Sequence, residues 1–290
     1  PDSKHIAYFS DASGEYALHI KDQNSTDAAK AIALDGTGFY AHLHWSPDSK
    51  KIAYVDNGRN LYITTVATGK TQKVAQDVLY QPGDYRDLFG SWSADGNWLA
   101  YTLITNTNFE QAYVYSLSEN KSYPISDGLS NVTEPTFDPS GKYLYLTAST
   151  DAGPVVNWFD QSNQDMTSSN ALYLITLQKE VKSPFAKEND VEKIAEAEEA
   201  QKEDKKEEGV PTLEIDWDGI MDRMVSVPVG TGNFMSLAAP KEGMLYYISY
   251  PSYDAPAMLH VYNLGEQKDE ELFEVDAFEI SASGEKMMYY

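Results

Sequence analysis

Cysteine is absent from the 290 residues. No disulfide framework and no thiolate metal site can form, and the redox compartment is left open. Positive charge is scarce: 22 Lys and Arg stand against 45 Asp and Glu, a formal net charge of −23. Such a surface repels nucleic acid and anionic membrane, because both are held by cationic groups that displace counterions. No apolar run approaches the roughly 18 residues of a membrane-spanning helix, so no membrane insertion is expected. No secretory leader opens the chain. The chain starts at Pro1 rather than Met, inside a repeat, and stops at Met287-Met288-Tyr289-Tyr290, in mid-strand. It therefore reads as a piece of a longer protein, and the missing leader says nothing about the parent.

What the chain does contain is one phrase said several times. Pro1-Asp2-Ser3-Lys4-His5-Ile6-Ala7-Tyr8 returns as Pro47-Asp48-Ser49-Lys50-Lys51-Ile52-Ala53-Tyr54. Further copies begin at Ala94, Pro139, Pro240 and Ala282, and the spacings are 46, 47, 45, 101 and 42 residues. A turn followed by an apolar strand at a period in the forties predicts an all-β chain, a β-propeller with one four-stranded blade per repeat. About six repeats are visible, and either the termini pair with each other or the missing blades, as in a seven-bladed ring, lie outside the chain. Residues 1–290 are expected to form one propeller domain cut at both ends.

One repeat shows the whole blade. Tyr40 to Trp45 is an alternating first strand, and Ser46-Pro47-Asp48-Ser49-Lys50 is a turn fixed by Pro and capped by Asp and Ser. Ile52 to Val55 and Leu61 to Val66 are the second and third strands, and Thr71 to Val74 is a polar outer strand that discourages edge pairing. The first repeat lacks its innermost strand and the last ends after its second. Leu213 to Trp217 and Met224 to Val229 read as further strands. Gly36-Thr37-Gly38 and Gly230-Thr231-Gly232 read as linkers between blades, because no helix start follows them as a phosphate loop would require.

Two segments break the rhythm. Thr150 to Ser169 separates the second and third strands of the fourth repeat and carries Trp158 and Phe159. After the strand Ala171 to Leu177, residues 178–212 form an insertion that is almost entirely Glu, Lys, Asp and Ala from Glu188 to Glu208. It holds too little apolar surface to offset its ordering entropy, so a flexible acidic excursion is expected. Strand direction alternates within a blade, which places the Thr150–Ser169 loop on the face of the blade linkers and the acidic excursion on the opposite face.

The candidates for chemistry are few. The repeated Ser-Pro-Asp turns have a structural role, because a residue used in every blade is not a nucleophile, and no Gly-x-Ser-x-Gly elbow exists. His42 and His44 share one side of a strand but lack a third ligand at a useful spacing. Asp84-Tyr85-Arg86-Asp87 is the one dense polar cluster near an innermost strand; Arg86 could hold a carboxylate, or form an Arg–Asp pair at a blade junction. The acidic run lacks the spacing of a calcium loop. The 21 tyrosines suit packing between blades. No catalytic residue, metal site or cofactor is expected, and Trp158, Phe159, Arg86, His42 and His44 are the candidate contacts to a peptide or to another domain.

The repeated Pro-Asp-Ser-Lys-x-Ile-Ala-Tyr phrase resembles the blade motif of TolB-like propellers, of prolyl oligopeptidase-type propellers and of the tricorn protease family. Three stretches are similar to tricorn-like peptidases in order and spacing: Ser149 to Pro154 with Trp158-Phe159 and Leu172-Tyr173-Leu174; Ser183 to Glu188 with the Glu/Lys run; and Ile215 to Val229. The resemblance implies the second propeller of a modular S41-type serine peptidase whose catalytic Ser and His lie beyond this chain. It implies a filter or docking surface for peptides, a cytoplasmic location with the periplasm as alternative, and a parent that forms homo-oligomers. A TolB-like interaction propeller without an enzyme, and the propeller of a prolyl oligopeptidase-type enzyme, remain open on these residues.

Overall fold

The computed structural model describes residues 1–34, 38–79, 85–149, 169–186, 212–251 and 255–290. Among these the regular structure is β, apart from a single 3-10 turn at Met221–Arg223. The strands form six antiparallel meanders in chain order. Sheet 1 holds β1 (His5–Ser10), β2 (Ala17–Asp22) and β3 (Lys30–Ala33). Sheet 2 holds β4 (Tyr40–Trp45), β5 (Lys51–Asp56), β6 (Asn60–Thr65) and β7 (Thr71–Gln76). Sheet 3 holds β8 (Phe89–Trp92), β9 (Trp98–Ile104), β10 (Glu110–Ser116) and β11 (Lys121–Pro124). Sheet 4 holds β12 (Asn131–Phe137), β13 (Tyr143–Ser149), β14 (Asn170–Thr176) and β15 (Met224–Gly232). Sheet 5 holds β16 (Phe234–Lys241), β17 (Met244–Ser249), β18 (Met258–Asn263) and β19 (Lys268–Glu274), and sheet 6 is the hairpin of β20 (Phe278–Ile280) and β21 (Met287–Tyr289).

The repeated Ile-Ala-Tyr run explains why the sheets stack face to face. Side chains alternate across a strand, and each face of β5 meets a different neighbour. Ile52 and Tyr54 join Leu18, Ile20 and Ile32 of sheet 1, whereas Ala53 and Val55 join Leu88, Leu99 and Tyr101 of sheet 3. The pattern continues along the chain: Ala100 packs with Leu144 and Leu146, and Tyr145 packs with Leu245 and Tyr247. The apolar core is thus divided into layers between successive sheets. At the two ends the outward faces have no neighbouring sheet among the described residues, and Ile6, Tyr8, Met288 and Tyr289 are exposed.

The turn that opens the phrase satisfies its own polar groups. The Ser46 hydroxyl donates to Asp48 at 2.6 Å and accepts the Lys51 amide at 2.9 Å. Ser93 and Asp95 repeat this at 2.6 Å, with the Trp98 amide at 3.0 Å. Asp138 takes the place of the serine in sheet 4, bonded to Ser140 and to the Tyr145 hydroxyl. Ser49, Gly96 and Gly141 adopt positive φ at the same place in each turn, between 57° and 72°. Burial opposes the charge on Asp48, but the Ser46 hydroxyl, the Lys50 amide and the neighbouring lysines outweigh it and hold the carboxyl below its ordinary value.

Four sequence expectations are corrected. The stretch from Leu213 to Trp217 is not a strand. Its backbone is drawn across to sheet 3, where the Leu213 amide donates to Asp95 at 3.0 Å and its carbonyl accepts from the Trp98 indole at 3.1 Å. Gly230 to Gly232 is not a linker, because it continues β15 to pair Thr231 with Ala171 and Gly232 with Asn170. The turn of the Pro240 repeat is a two-residue hairpin, Glu242-Gly243, closed by the pair Lys241↔Met244. The alternation read in β4 is broken by a bulge between Ala41 and His44.

Candidate functional site: the seam of bulged innermost strands

The first strand of sheets 2 to 5 carries a register break at one corresponding place. Two residues face one on the partner strand between Ala41 and His44, between Thr133 and Thr136, and between Met235 and Ala238, and Gly90 faces none between Phe89 and Ser91, so each break adds one residue. A bulge re-aims side chains and ends regular pairing. In three of these bulges the first residue has positive φ without being glycine: His42 at 57°, Glu134 at 55° and Ser236 at 58°. This conformation is costly for such residues and persists only when its surroundings enforce it.

The bulges abut one another from sheet to sheet. His44 Nε2 lies 2.6 Å from Asp87 Oδ2, and its ring stacks on Phe89 at 4.0 Å between centroids. His42 Nε2 lies 2.6 Å from the Tyr85 carbonyl, with Nδ1 3.7 Å from Asp87. Sheets 3 and 4 meet at Gly90, where an added Cβ would stand 2.5 Å from the Pro135 carbonyl oxygen. The Ser91 hydroxyl donates to that oxygen at 3.1 Å and accepts the Phe137 amide at 2.8 Å. Sheets 4 and 5 meet where the Glu134 carboxylate accepts the Leu237 amide at 2.7 Å.

Arg86 closes the next layer. Its guanidinium donates to Asp77 at 3.0 Å, to Glu110 at 2.6 Å and to the Thr102 hydroxyl. Asp77, whose side chain is 1% exposed, also accepts the Ile104 amide at 2.7 Å. Among the described residues the acidic partners of Arg86 are therefore Asp77 of the sheet 2–3 connection and Glu110 of β10, not the adjacent Asp87. A polar pocket of about 330 Å³ lies over this layer, lined by Arg86, Phe89, Glu110, Thr133, Glu134 and Thr136, among others. Burial pushes the Glu134 carboxyl above its ordinary value, and the charge of Glu110 acts in the same direction, against the amides of Leu237 and Ser236.

The structure thus brings together His42, His44 and Arg86 through the segment Tyr85–Asp87. Trp158 and Phe159, Asp84, the linker residues Gly36 and Thr37, and the acidic run from Glu188 to Glu208 lie outside the described residues. The ends of the expected insertion are described: Gln178 donates to the Gly141 and Glu214 carbonyls, and Phe185 packs edge-on against Tyr262. No cluster of three metal-ligating side chains occurs among the described residues. Asp77, Glu110 and Glu134 were not singled out from sequence. Pro135 carried a usable signal for Glu134, because a proline inside a strand marks an edge or a bulge, and Pro135 sits at both.

A family model described as the tricorn protease second beta propeller domain matches residues 1–290. The chain is 25% identical to Tricorn protease homolog 1 of Streptomyces coelicolor, over 98% of this chain and 28% of that protein. It is 24% identical to the Tricorn protease homolog of Saccharolobus solfataricus, over 84% of this chain and 21% of that one. It thus spans about a quarter of the length of these relatives. Among solved structures, the crystal structure of the tricorn protease superposes with a TM-score of 0.72 at 17% identity, covering 99% of this chain and 27% of that one. TolB from Acinetobacter baumannii superposes with a TM-score of 0.51 at 15% identity, over 94% of this chain and 54% of that one. These two superpositions speak to the fold alone.

Proposed function

Because the chain belongs to the tricorn protease second β-propeller family, we propose that it serves a tricorn-like serine peptidase as a non-catalytic propeller. In this reading it admits or docks peptides for an S41-type core carried elsewhere in the polypeptide. Residues 1–290 act as one propeller unit with the acidic stretch inserted in it. Its partners are peptides and neighbouring domains of an oligomeric parent, with Trp158 and Phe159 contributing from their loop. The cytoplasm is the compartment of this reading and the periplasm its alternative.

The observation that carries the proposal is the seam itself. Four innermost strands abandon regular pairing at one corresponding place, and a polar pocket opens beside them. Rigid sheets that present irregular backbone are a setting for recognition rather than for packing. The hydrogen bonds of His42 and His44 run to Tyr85 and Asp87, so these rings brace the seam. The test uses purified chain and short fluorescent peptides of mixed sequence. Saturable binding without cleavage is expected. Cleavage that copurifies with the chain through every step, or a complete lack of binding, overturns the reading.

A further inference from the structure

The bulge position carries different side chains in different repeats. The strand that follows it is an apolar run in each repeat, yet the positive-φ residue is His42 in sheet 2, Glu134 in sheet 4 and Ser236 in sheet 5. A position that holds its backbone conformation while its side chain changes is one where the fold leaves chemistry free to vary. Of the three, Glu134 is the one that lines the polar pocket. Its carboxylate is anchored from the side of sheet 5, by the Leu237 amide at 2.7 Å and by the Ser236 amide. The cation of the pocket is already engaged, since Arg86 donates to Asp77 at 3.0 Å and to Glu110 at 2.6 Å. The acids of the lining, Asp87, Glu110 and Glu134, exceed Arg86 by two carboxylates, and threonine side chains form part of the remaining wall. What such a pocket lacks is a compact donor with positive charge.

We propose that the pocket between Glu110 and Glu134 receives a primary ammonium group of a peptide, with Glu134 as the specificity-determining residue. An ammonium has three donors on one charged atom, which suits two carboxylates flanked by hydroxyls. The Thr133 and Thr136 side chains sit on the same strand as Glu134 and complete the lining. The ammonium belongs either to a lysine side chain or to a peptide N-terminus. The inference rests on the peptide-docking reading above and narrows it to a ligand chemistry. Charge on Glu134 strengthens the site, and burial favours its neutral form, so affinity rises as pH increases through its titration.

The test titrates the full chain at about 0.15 M salt, where exposed long-range attraction is screened. The probes are Ac-Gly-Lys-Gly-amide, the same peptide acetylated on the lysine, and Gly-Ala-Gly-amide with a free N-terminus. Lysine acetylation is expected to weaken binding at least about tenfold, the effect of losing a charge-assisted hydrogen bond. Binding of the third peptide assigns the site to N-termini as well, and its failure restricts the site to lysine. In Glu134→Gln the discrimination between free and acetylated lysine disappears. In Glu271→Gln, which removes an exposed charge from β19, it is retained. A readout on the unaltered chain guards against a misfolded variant: the Leu237 amide resonance shifts with the lysine peptide and not with its acetylated form. Equal binding of the free and acetylated peptides, or discrimination that survives Glu134→Gln, overturns the inference and leaves peptide docking standing. If none of the peptides binds, both readings fall.

Discussion

Asp95 answers to two parts of the chain at once. Within its turn it accepts the Ser93 hydroxyl at 2.6 Å and the Asn97 amide at 3.0 Å; from residues far along the chain it accepts the Leu213 amide at 3.0 Å. Asp48 holds the corresponding turn in sheet 2, but its bonds stay within that turn. Burial works against the charge of Asp95, yet these donors prevail and hold its carboxyl below the ordinary 3.8. Asp95→Ala leaves the Leu213 amide without its acceptor and removes the shortest bond of the Ser93 hydroxyl, and is expected to cost about 1–3 kcal/mol. Asp48→Ala should cost less. Urea midpoints of the two variants decide the order, and a larger loss for Asp48→Ala would contradict it. The pH sign follows from the depressed folded values: the contribution of both groups is present above 3.8 and is lost as pH falls below it. The gap between Asp95→Ala and the parent chain should therefore narrow on acidification.

At the scale of the element, the innermost strands are held by contacts that tolerate no additional atom. Gly90 faces the Pro135 carbonyl so closely that a Cβ would sit at 2.5 Å, with the Pro135 ring at 2.7 Å. Both obstacles belong to a rigid unit of the neighbouring sheet. Gly90→Ala must therefore part sheets 3 and 4, breaking the Ser91 bonds to Pro135 and Phe137. The expected cost is about 1–3 kcal/mol, typical of overpacking, read as a lowered melting temperature; an unchanged value would mean that the strands slide apart freely. These contacts also mark how far the sequence could be read. The second and third strands were legible because their residues point alternately to two neighbouring sheets, so the apolar run is unbroken and its period is clear. The capped turns were legible because Ser, Pro, Asp and Gly each have one local reason to be there. The seam was not. Alternation assigned His42 and His44 to one side, whereas a bulge with positive φ separates them. The partners of Arg86 lie nine and 24 positions away, on other elements, where local spacing carries no information. Leu213 to Trp217 has a strand's composition, but Leu213 commits its polar groups to sheet 3.

At the scale of the whole molecule, the acidic excess governs the solution behaviour. A formal charge of −23 opposes compaction through self-repulsion. Among the described residues, the ion pairs Lys142–Glu242 and Lys179–Asp218 that offset it are largely exposed. Melting temperature is expected to rise as sodium chloride is raised from low ionic strength to about 0.5 M, where the Debye length is only a few ångströms. A fall would show that attractive pairs outweigh the repulsion. The layered core has a further consequence for the history of the chain. Away from the seam, sheets 2 to 4 satisfy many of their polar groups locally, through the capped turn and bonds such as Tyr54 to Thr64 and Tyr101 to Ser122, and leave two apolar faces to be covered. A copy arising by tandem duplication therefore arrives with its strand and turn hydrogen bonds made, and takes from its neighbours a flat apolar surface and polar partners at the seam such as those of Ser91 and Glu134. Selection can then diversify the bulge, the one place where His, Glu and Ser have been exchanged, without renegotiating the frame.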